Sequence, residues 1–97
     1  MAMNAEPLAD AEKVLEAGAL FDVPAALRVA EQIARLPPAS QVVIDFLRTR
    51  ECHDFALATL SQALVRMGSG LQVRTRGLNR HHARVLRYLG EPGMLLA

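Results

Sequence analysis

Residues 41–46 read QVVIDF, and this short stretch decides the fold. Its three β-branched residues, 42–44, lie between a Pro-Pro-Ala-Ser turn and the polar residues 48–51. A short run of consecutive β-branched residues is typical of a strand covered on both faces, as in the centre of a parallel sheet beneath helices. Asp45, near its end, is the one charged residue in the run. We therefore predict a central strand at 41–46.

The residues that follow this strand predict a helix. Asp54 is a candidate N-cap, because a carboxylate at that position can accept hydrogen bonds from unpaired backbone N–H groups. Apolar side chains then recur at helical spacing, and Gly68 and Gly70 end the helix. The predicted buried face consists of Leu57, Leu60, Leu64 and Met67.

The chain before the central strand predicts a further strand and helix. Residues 14–21, VLEAGALF, are mostly apolar, and Gly18 within them favours a strand with a bulge or tight bend over a helix. Asp22 and Pro24 mark a helix start, and the prolines at 37–38 mark its end. The predicted apolar stripe of this helix consists of Leu27, Ala30, Ile33 and Ala34.

The chain after the second helix repeats the pattern. Residues 71–75 alternate between apolar and polar side chains, which indicates a half-buried strand. Asn79 is the predicted cap of a last helix that ends at Gly90. The buried face of that helix is expected to consist of Val85, Leu86 and Leu89.

Strand and helix thus alternate three times over short connections, which predicts right-handed crossovers between parallel strands. The fold class that we expect is α/β: a small mixed, mostly parallel sheet with helices packed on one side. A single domain would span residues 1–97, and residues 1–13 would either begin a helix or remain a frayed arm.

Composition limits what the protein can do. The chain has 97 residues, of which 52% are apolar, and a single cysteine, Cys52. One core of this size excludes multi-domain chemistry, and one cysteine excludes an internal disulfide. No apolar run approaches the roughly 20 residues that cross a bilayer, and the first residues lack the pattern of a signal peptide. We expect a cytoplasmic location without membrane insertion.

No group of residues predicts catalysis or a cofactor. Cys52, His53 and Asp54 are the residue types of a thiol hydrolase, but catalytic groups of that kind seldom come from three consecutive side chains. We expect Cys52 to be a small buried residue and Asp54 to be a cap. His81 and His82 are adjacent on a helix and point about 100° apart, which predicts that they cannot face one metal ion. The sequence therefore predicts no enzyme, no cofactor and no metal site.

The charges are distributed unevenly along the chain. Residues 1–36 carry six acidic and three basic side chains, whereas residues 37–97 carry eight arginines and four acids. This asymmetry would allow copies of the chain to associate head to tail as a self-assembling structural protein. The basic stripe Arg80, Arg84 and Arg87 on the last helix would allow binding to nucleic-acid phosphates. The overall net charge of +1 makes nucleic acid an unlikely partner and the second choice.

Four segments in this order carry a resemblance to a known family: GALFD (18–22), QVVIDF (41–46), HDFALATL (53–60) and LQVRTRGLN (71–79). Together with the last helix they resemble the STAS family, named for sulfate transporters and anti-sigma factor antagonists, over residues 17–90. In that family a strand-end aspartate, here Asp45, is followed by a loop and by Asp-Ser-Ser-Gly-Leu at a helix start. The step from Asp45 to His53 equals the family's step between its two acids.

The departures from the family pattern concern the switch site. Phe55 stands where the family has its phosphoacceptor serine, so the resemblance implies a chain that is not phosphorylated at that position. Asp54 stands at the preceding serine and adds a charge that either mimics a phosphorylated state or serves as a plain cap.

The resemblance implies a non-catalytic bacterial regulatory module that docks on a protein partner. The partners implied are an anti-sigma factor kinase or a transporter ATPase. For Phe55 two interpretations stay open: an exposed interface anchor, or a core side chain tucked under the helix. The implied partner-binding residues are Arg48, Arg50, Glu51, His53, Asp54, Phe55 and Thr59.

Overall fold

The computed structural model describes residues 12–68, 72–89 and 94–96, the last of these as backbone only. The strands are β1 (Lys13–Glu16), β2 (Leu20–Phe21), β3 (Gln41–Asp45), β4 (Glu51–Cys52), β5 (Gln72–Arg76) and β6 (Met94–Leu96). The helices are α1 (Val23–Ala34), α2 (Asp54–Met67) and α3 (Arg80–Leu89). The α/β prediction is confirmed.

Two parallel sheets organise the chain. The main sheet has the order β1-β3-β5-β6, with every neighbouring pair parallel. Leu15 of β1, Ile44 of β3 and Thr75 of β5 are paired side by side across the sheet. The second sheet is the short parallel pair of β2 and β4, which the sequence did not predict. β6 was likewise not predicted; the expected fold ended with the last helix.

The core lies on one face of the main sheet. On that face the register places the buried side chains of Val42, Ile44, Val73 and Thr75. The predicted alternation of β5 is confirmed, since Val73 and Thr75 are buried and the residues between and beside them are exposed. β3 is buried at four consecutive positions, as expected of a central strand. The predicted face of α2 is also confirmed: Leu57, Leu60 and Leu64 are buried and Met67 packs against the core.

The apolar face of α1 differs from the predicted stripe. Leu27 is 53% exposed and Ala34 is exposed as well. Ala30 and Ile33 of the predicted stripe are buried, together with Ala25, Ala26 and Val29. The small side chains of the alanines allow α1 and α2 to pack closely, and this contact selects the buried face. In α3, Leu86 is buried as predicted, Val85 is half-buried, and Leu89 is 40% exposed against expectation.

The predicted strand at 14–21 is divided at Gly18, whose φ of +92° makes a bend between β1 and β2. The two halves join different sheets. Residues 1–11 of the predicted arm lie outside the described residues, whereas Lys13 already belongs to β1. Among the described residues no helix has the length and apolar character that crossing a bilayer requires.

Candidate functional site

The candidate functional side chains lie at one edge of the fold. Because the main sheet is parallel, β3 and β5 end at the same edge, with Asp45 paired in register with Arg76. The helices that follow the strands begin at this edge, and Val23, Asp54 and Arg80 are their first residues. We call this region the carboxyl edge. In parallel α/β folds, ligands and partners are usually bound at this edge.

The loop between β3 and α2 is fixed by backbone and side-chain hydrogen bonds. The Thr49 hydroxyl donates to the Gly18 carbonyl oxygen over 2.7 Å. The Arg50 backbone N–H donates to the Ala19 carbonyl over 2.8 Å, and the His53 N–H donates to the Phe21 carbonyl over 3.0 Å. These bonds hold the segment before α2 against β2, so the first turn of α2 is presented from a defined position.

The predicted partner-binding residues are mostly at the surface. Arg48, Arg50 and Glu51 are exposed on the loop and on β4. His53 and Asp54 are exposed at the start of α2, whereas Thr59 is half-buried. The Thr59 hydroxyl donates to the Phe55 carbonyl over 2.9 Å within the helix.

Phe55 is exposed, which excludes its interpretation as a core side chain. Its side chain is 76% exposed, whereas Phe21 and Phe46 are 0% and 2% exposed. Those two core rings contact each other edge to face, with centroids 5.0 Å apart. Leu20 and Leu47, 45% and 66% exposed, are further apolar side chains at the carboxyl edge.

Asp54 does not cap α2, contrary to the prediction. The N-cap is His53, whose side chain makes no capping hydrogen bond; its ring instead lies 2.9 Å from the Glu51 carboxylate. The Asp54 carboxylate lies within 3.1 Å of Nε2 of His81 and within 3.3 Å of Nε2 of His82. An acid in the first helical turn is favoured by the helix dipole without being the cap.

The premise that His81 and His82 cannot face one point is also wrong. Both Nε2 atoms approach the same carboxylate oxygen, Oδ1 of Asp54, and the two rings meet edge to face with centroids 4.9 Å apart. The Cα–Cβ bonds of adjacent helical residues diverge, but the imidazole rings extend far enough beyond Cβ to converge again. The spacing of two adjacent residues along the helix backbone gives no signal for this cluster.

Asp45 and Arg76 form a structural pair at the ends of β3 and β5. The Asp45 carboxylate accepts hydrogen bonds from Nη2 of Arg76 over 3.0 Å and from the Leu47 backbone N–H over 2.8 Å. These two donors hold the pKa of Asp45 below its usual value. The carboxylate fastens the loop that leaves β3, which gives the charged residue of the central strand a structural role.

Cys52 lacks the properties of a nucleophile. It is half-buried, and burial, together with the nearby Asp54 charge, raises the pKa of its thiol to about 11. The thiol is therefore protonated at neutral pH. Cys52 and His82 line a cleft of about 100 Å³, smaller than the several hundred cubic ångströms typical of sites for organic ligands. Cys52, expected to be buried, is therefore only partly so.

Comparison with protein-family models returns no match, and a search of curated proteins likewise finds no significant similarity.

Proposed function

We propose that this protein is a non-catalytic, STAS-like regulatory module that binds a partner protein through the carboxyl edge. The single observation that carries the proposal is the exposure of Phe55 at the first turn of α2. Burial of apolar surface stabilises a protein by about 25 cal/mol per Å², and an exposed Phe ring lacks this stabilisation. A partner surface that covers the ring recovers this free energy.

The surroundings of Phe55 support a protein partner. Exposed charged groups lie on the loop and strand that precede the helix, namely Arg48, Arg50, Glu51 and His53. An apolar anchor surrounded by polar groups is the usual arrangement of a binding hot spot and its rim. The small size of the neighbouring cleft favours a surface contact over an enclosed small-molecule site.

The order of elements supports the STAS-like interpretation. Gly18 precedes β2, Asp22 caps α1 by accepting a 3.0 Å hydrogen bond from the Ala25 N–H, and Asp45 ends β3. Gly77 and Leu78 form the turn before α3. In the STAS family a glycine precedes a short strand that ends in aspartate, the central strand also ends in aspartate, and a Gly-Leu or similar turn precedes the last helix, so these residues fit the family pattern. The partner class that follows is an anti-sigma factor kinase or a transporter ATPase.

Regulation would operate through differential affinity. A partner with two conformations shifts toward the one that binds the carboxyl edge more tightly. Because Phe55 has no hydroxyl group, phosphorylation at that position cannot release the contact. Control would then depend on the amount of this protein or on the state of its partner.

Affinity capture from the host with three forms of the chain tests this function: wild type, Phe55→Ala and Tyr88→Ala. Tyr88 is the matched control, since its side chain is aromatic, 90% exposed and located on α3. We expect wild type and Tyr88→Ala to recover a kinase or transporter ATPase identified by mass spectrometry. A hot spot worth about 2 kcal/mol corresponds to roughly 30-fold weaker binding of Phe55→Ala. Equal recovery by all three forms would show that Phe55 is not the anchor.

Nucleic-acid binding by α3 is the second candidate. The observation that favours it is that Arg80, Arg84 and Arg87 are all exposed on this helix. Within the described residues none of the three forms an ion pair. An electrophoretic mobility shift at low salt that the triple alanine variant abolishes would support this function, and the absence of any shift would remove it.

Head-to-tail assembly has less support. The acidic and basic halves of the sequence interleave in the fold, because Glu12 of the first half pairs with Arg74 of the second and β1 of the first half pairs with β3 of the second. The two charge types therefore do not form two separate faces. Light scattering at two salt concentrations tests the idea, since association driven by charge weakens as salt is added.

A further inference from the structure

The cluster of Asp54, His81 and His82 joins the first turns of two helices. One ligand atom from each residue lies within 4.8 Å of the other two. Oδ1 of Asp54 is 3.1 Å from Nε2 of His81 and 3.3 Å from Nε2 of His82. A carboxylate and two imidazoles, contributed by positions 27 and 28 residues apart, thus converge on one point.

These separations are those of metal ligands. Zinc is bound by imidazole nitrogen and carboxylate oxygen at about 2.0–2.1 Å in tetrahedral geometry. Two such ligands that subtend a tetrahedral angle at the metal are roughly 3.4 Å apart. The two oxygen-to-nitrogen distances, 3.1 and 3.3 Å, are close to this value, and an entering zinc ion would replace the hydrogen bond between Asp54 and His81 with metal ligation.

The local structure holds the cluster in place. The Asn79 side chain accepts a 2.8 Å hydrogen bond from the His82 backbone N–H and so fixes the first turn of α3. The His82 side chain is only 13% exposed, while those of His81 and Asp54 are more than half exposed. One well-held imidazole and two accessible ligands give an ion an anchor and an entry path.

We propose that Asp54, His81 and His82 form a binding site for a zinc-class divalent ion. Three protein ligands leave one position of a tetrahedral ion for water or another exogenous ligand. Two imidazoles favour Zn²⁺ and its transition-metal neighbours over Mg²⁺ and Ca²⁺, which require oxygen ligands. The site bridges the starts of α2 and α3, so bound metal would also link these helices. The evidence for this site is the geometry of these three side chains and not the exposure of Phe55, although Asp54 also belongs to the proposed partner-binding residues.

The chain contains its own matched control. It has three histidines, and the third, His53, is also exposed and also lies beside a carboxylate, that of Glu51, at 2.9 Å. His53 is not part of the cluster. His53→Ala should therefore leave metal affinity unchanged, whereas His81→Ala should weaken it by a hundredfold or more.

The test is calorimetric titration of Zn²⁺ into the tag-free chain, because the histidines of an affinity tag would bind zinc themselves. We expect one ion per chain for wild type and for His53→Ala, and a loss of saturable binding for His81→Ala and His82→Ala. Asp54→Asn gives a variant with nearly unchanged shape and should weaken binding at least tenfold. Circular dichroism checks that each variant is folded. If His82→Ala does not fold, His81→Ala is used alone, because His81 is the more exposed of the two side chains.

Cobalt provides a second readout. Co²⁺ in tetrahedral nitrogen and oxygen coordination absorbs visible light far more strongly than octahedral Co²⁺ in water. The wild-type chain should develop such a band at one equivalent, and excess Zn²⁺ should remove it. No saturable zinc heat and no cobalt band for wild type would overturn the proposal, as would binding that His53→Ala abolishes or that His81→Ala retains.

Discussion

Replacement of Phe55 by alanine separates a surface anchor from a core side chain. The ring is 76% exposed, so about a quarter of its area is covered in the isolated chain. A fully buried Phe removes about 200 Å² from water, and a quarter of this area at about 25 cal/mol per Å² is roughly 1.2 kcal/mol. Alanine is the better helix former by about 0.5 kcal/mol, so the expected net loss of unfolding free energy is below about 1 kcal/mol.

Phe46→Ala is the matched control in the core. Its ring is 2% exposed and packs against Phe21, and truncation of a buried Phe costs about 3–5 kcal/mol. Urea unfolding followed by circular dichroism, with equal m-values, measures both losses. On heating, the midpoint should fall by less than about 8 °C for Phe55→Ala and by more than about 12 °C for Phe46→Ala. Equal losses for the two variants would refute the exposed position of Phe55.

Three further predictions concern the carboxyl edge and its turns. Gly77→Ala should lower the free energy of unfolding in urea by at least about 2 kcal/mol, because φ is +85° and a Cβ would lie 2.6 Å from the Leu47 backbone nitrogen. Gly68→Ala is the control: φ is +83°, but no described atom lies within 4 Å of the added Cβ, so the loss should be smaller. Equal losses would contradict the steric argument. Asp45→Asn should destabilise the chain at pH 7 by about 1 kcal/mol. Because folding lowers the pKa of Asp45, its stabilisation is complete above about pH 5 and is lost as the pH falls through the folded pKa. A wild-type advantage that does not shrink as the pH is lowered from about 5 would count against this pair. Cys52, with a pKa of about 11, should react with iodoacetamide in the native chain at pH 8 far more slowly than in urea, and equal rates would show an open thiolate.

The central strand was predictable because its signal is local. Three adjacent β-branched residues between a proline turn and a polar loop are typical of a strand covered on both faces, as in the centre of a parallel sheet. The buried face of α2 was predictable for a related reason, since its leucines recur at a single helical spacing. In both segments the residues themselves determine which side faces the core.

The face of α1 was not determined in this way. Its first eight residues include apolar side chains all around the helix, among them Ala25, Ala26, Leu27 and Val29. Which of them is buried depends on how closely α2 approaches, and alanine permits the closest approach. Ala30 and Ile33 of the predicted stripe are buried in this contact, whereas Leu27 and Ala34 are exposed.

The histidine cluster depends on contacts distant in sequence. Asp54 and His81 meet because α2 and α3 begin at the same edge of a parallel sheet. The available signal was that an acid and two histidines each follow a predicted strand, which places them at a common edge. Whether Phe55 is exposed or buried was not predictable for a similar reason, since helical spacing alone does not tell whether a neighbouring element covers the first turn of α2.

Photo-cross-linking at position 55 tests the central claim most directly. Benzoylphenylalanine is incorporated in place of Phe55 and, in a second chain, in place of Tyr88, so that both probes are exposed aromatic replacements. Irradiation in the host should join the probe at 55 to one discrete protein, a kinase or a transporter ATPase, and the probe at 88 should give no such adduct. No adduct from position 55, or the same adducts from both positions, would contradict binding through the start of α2.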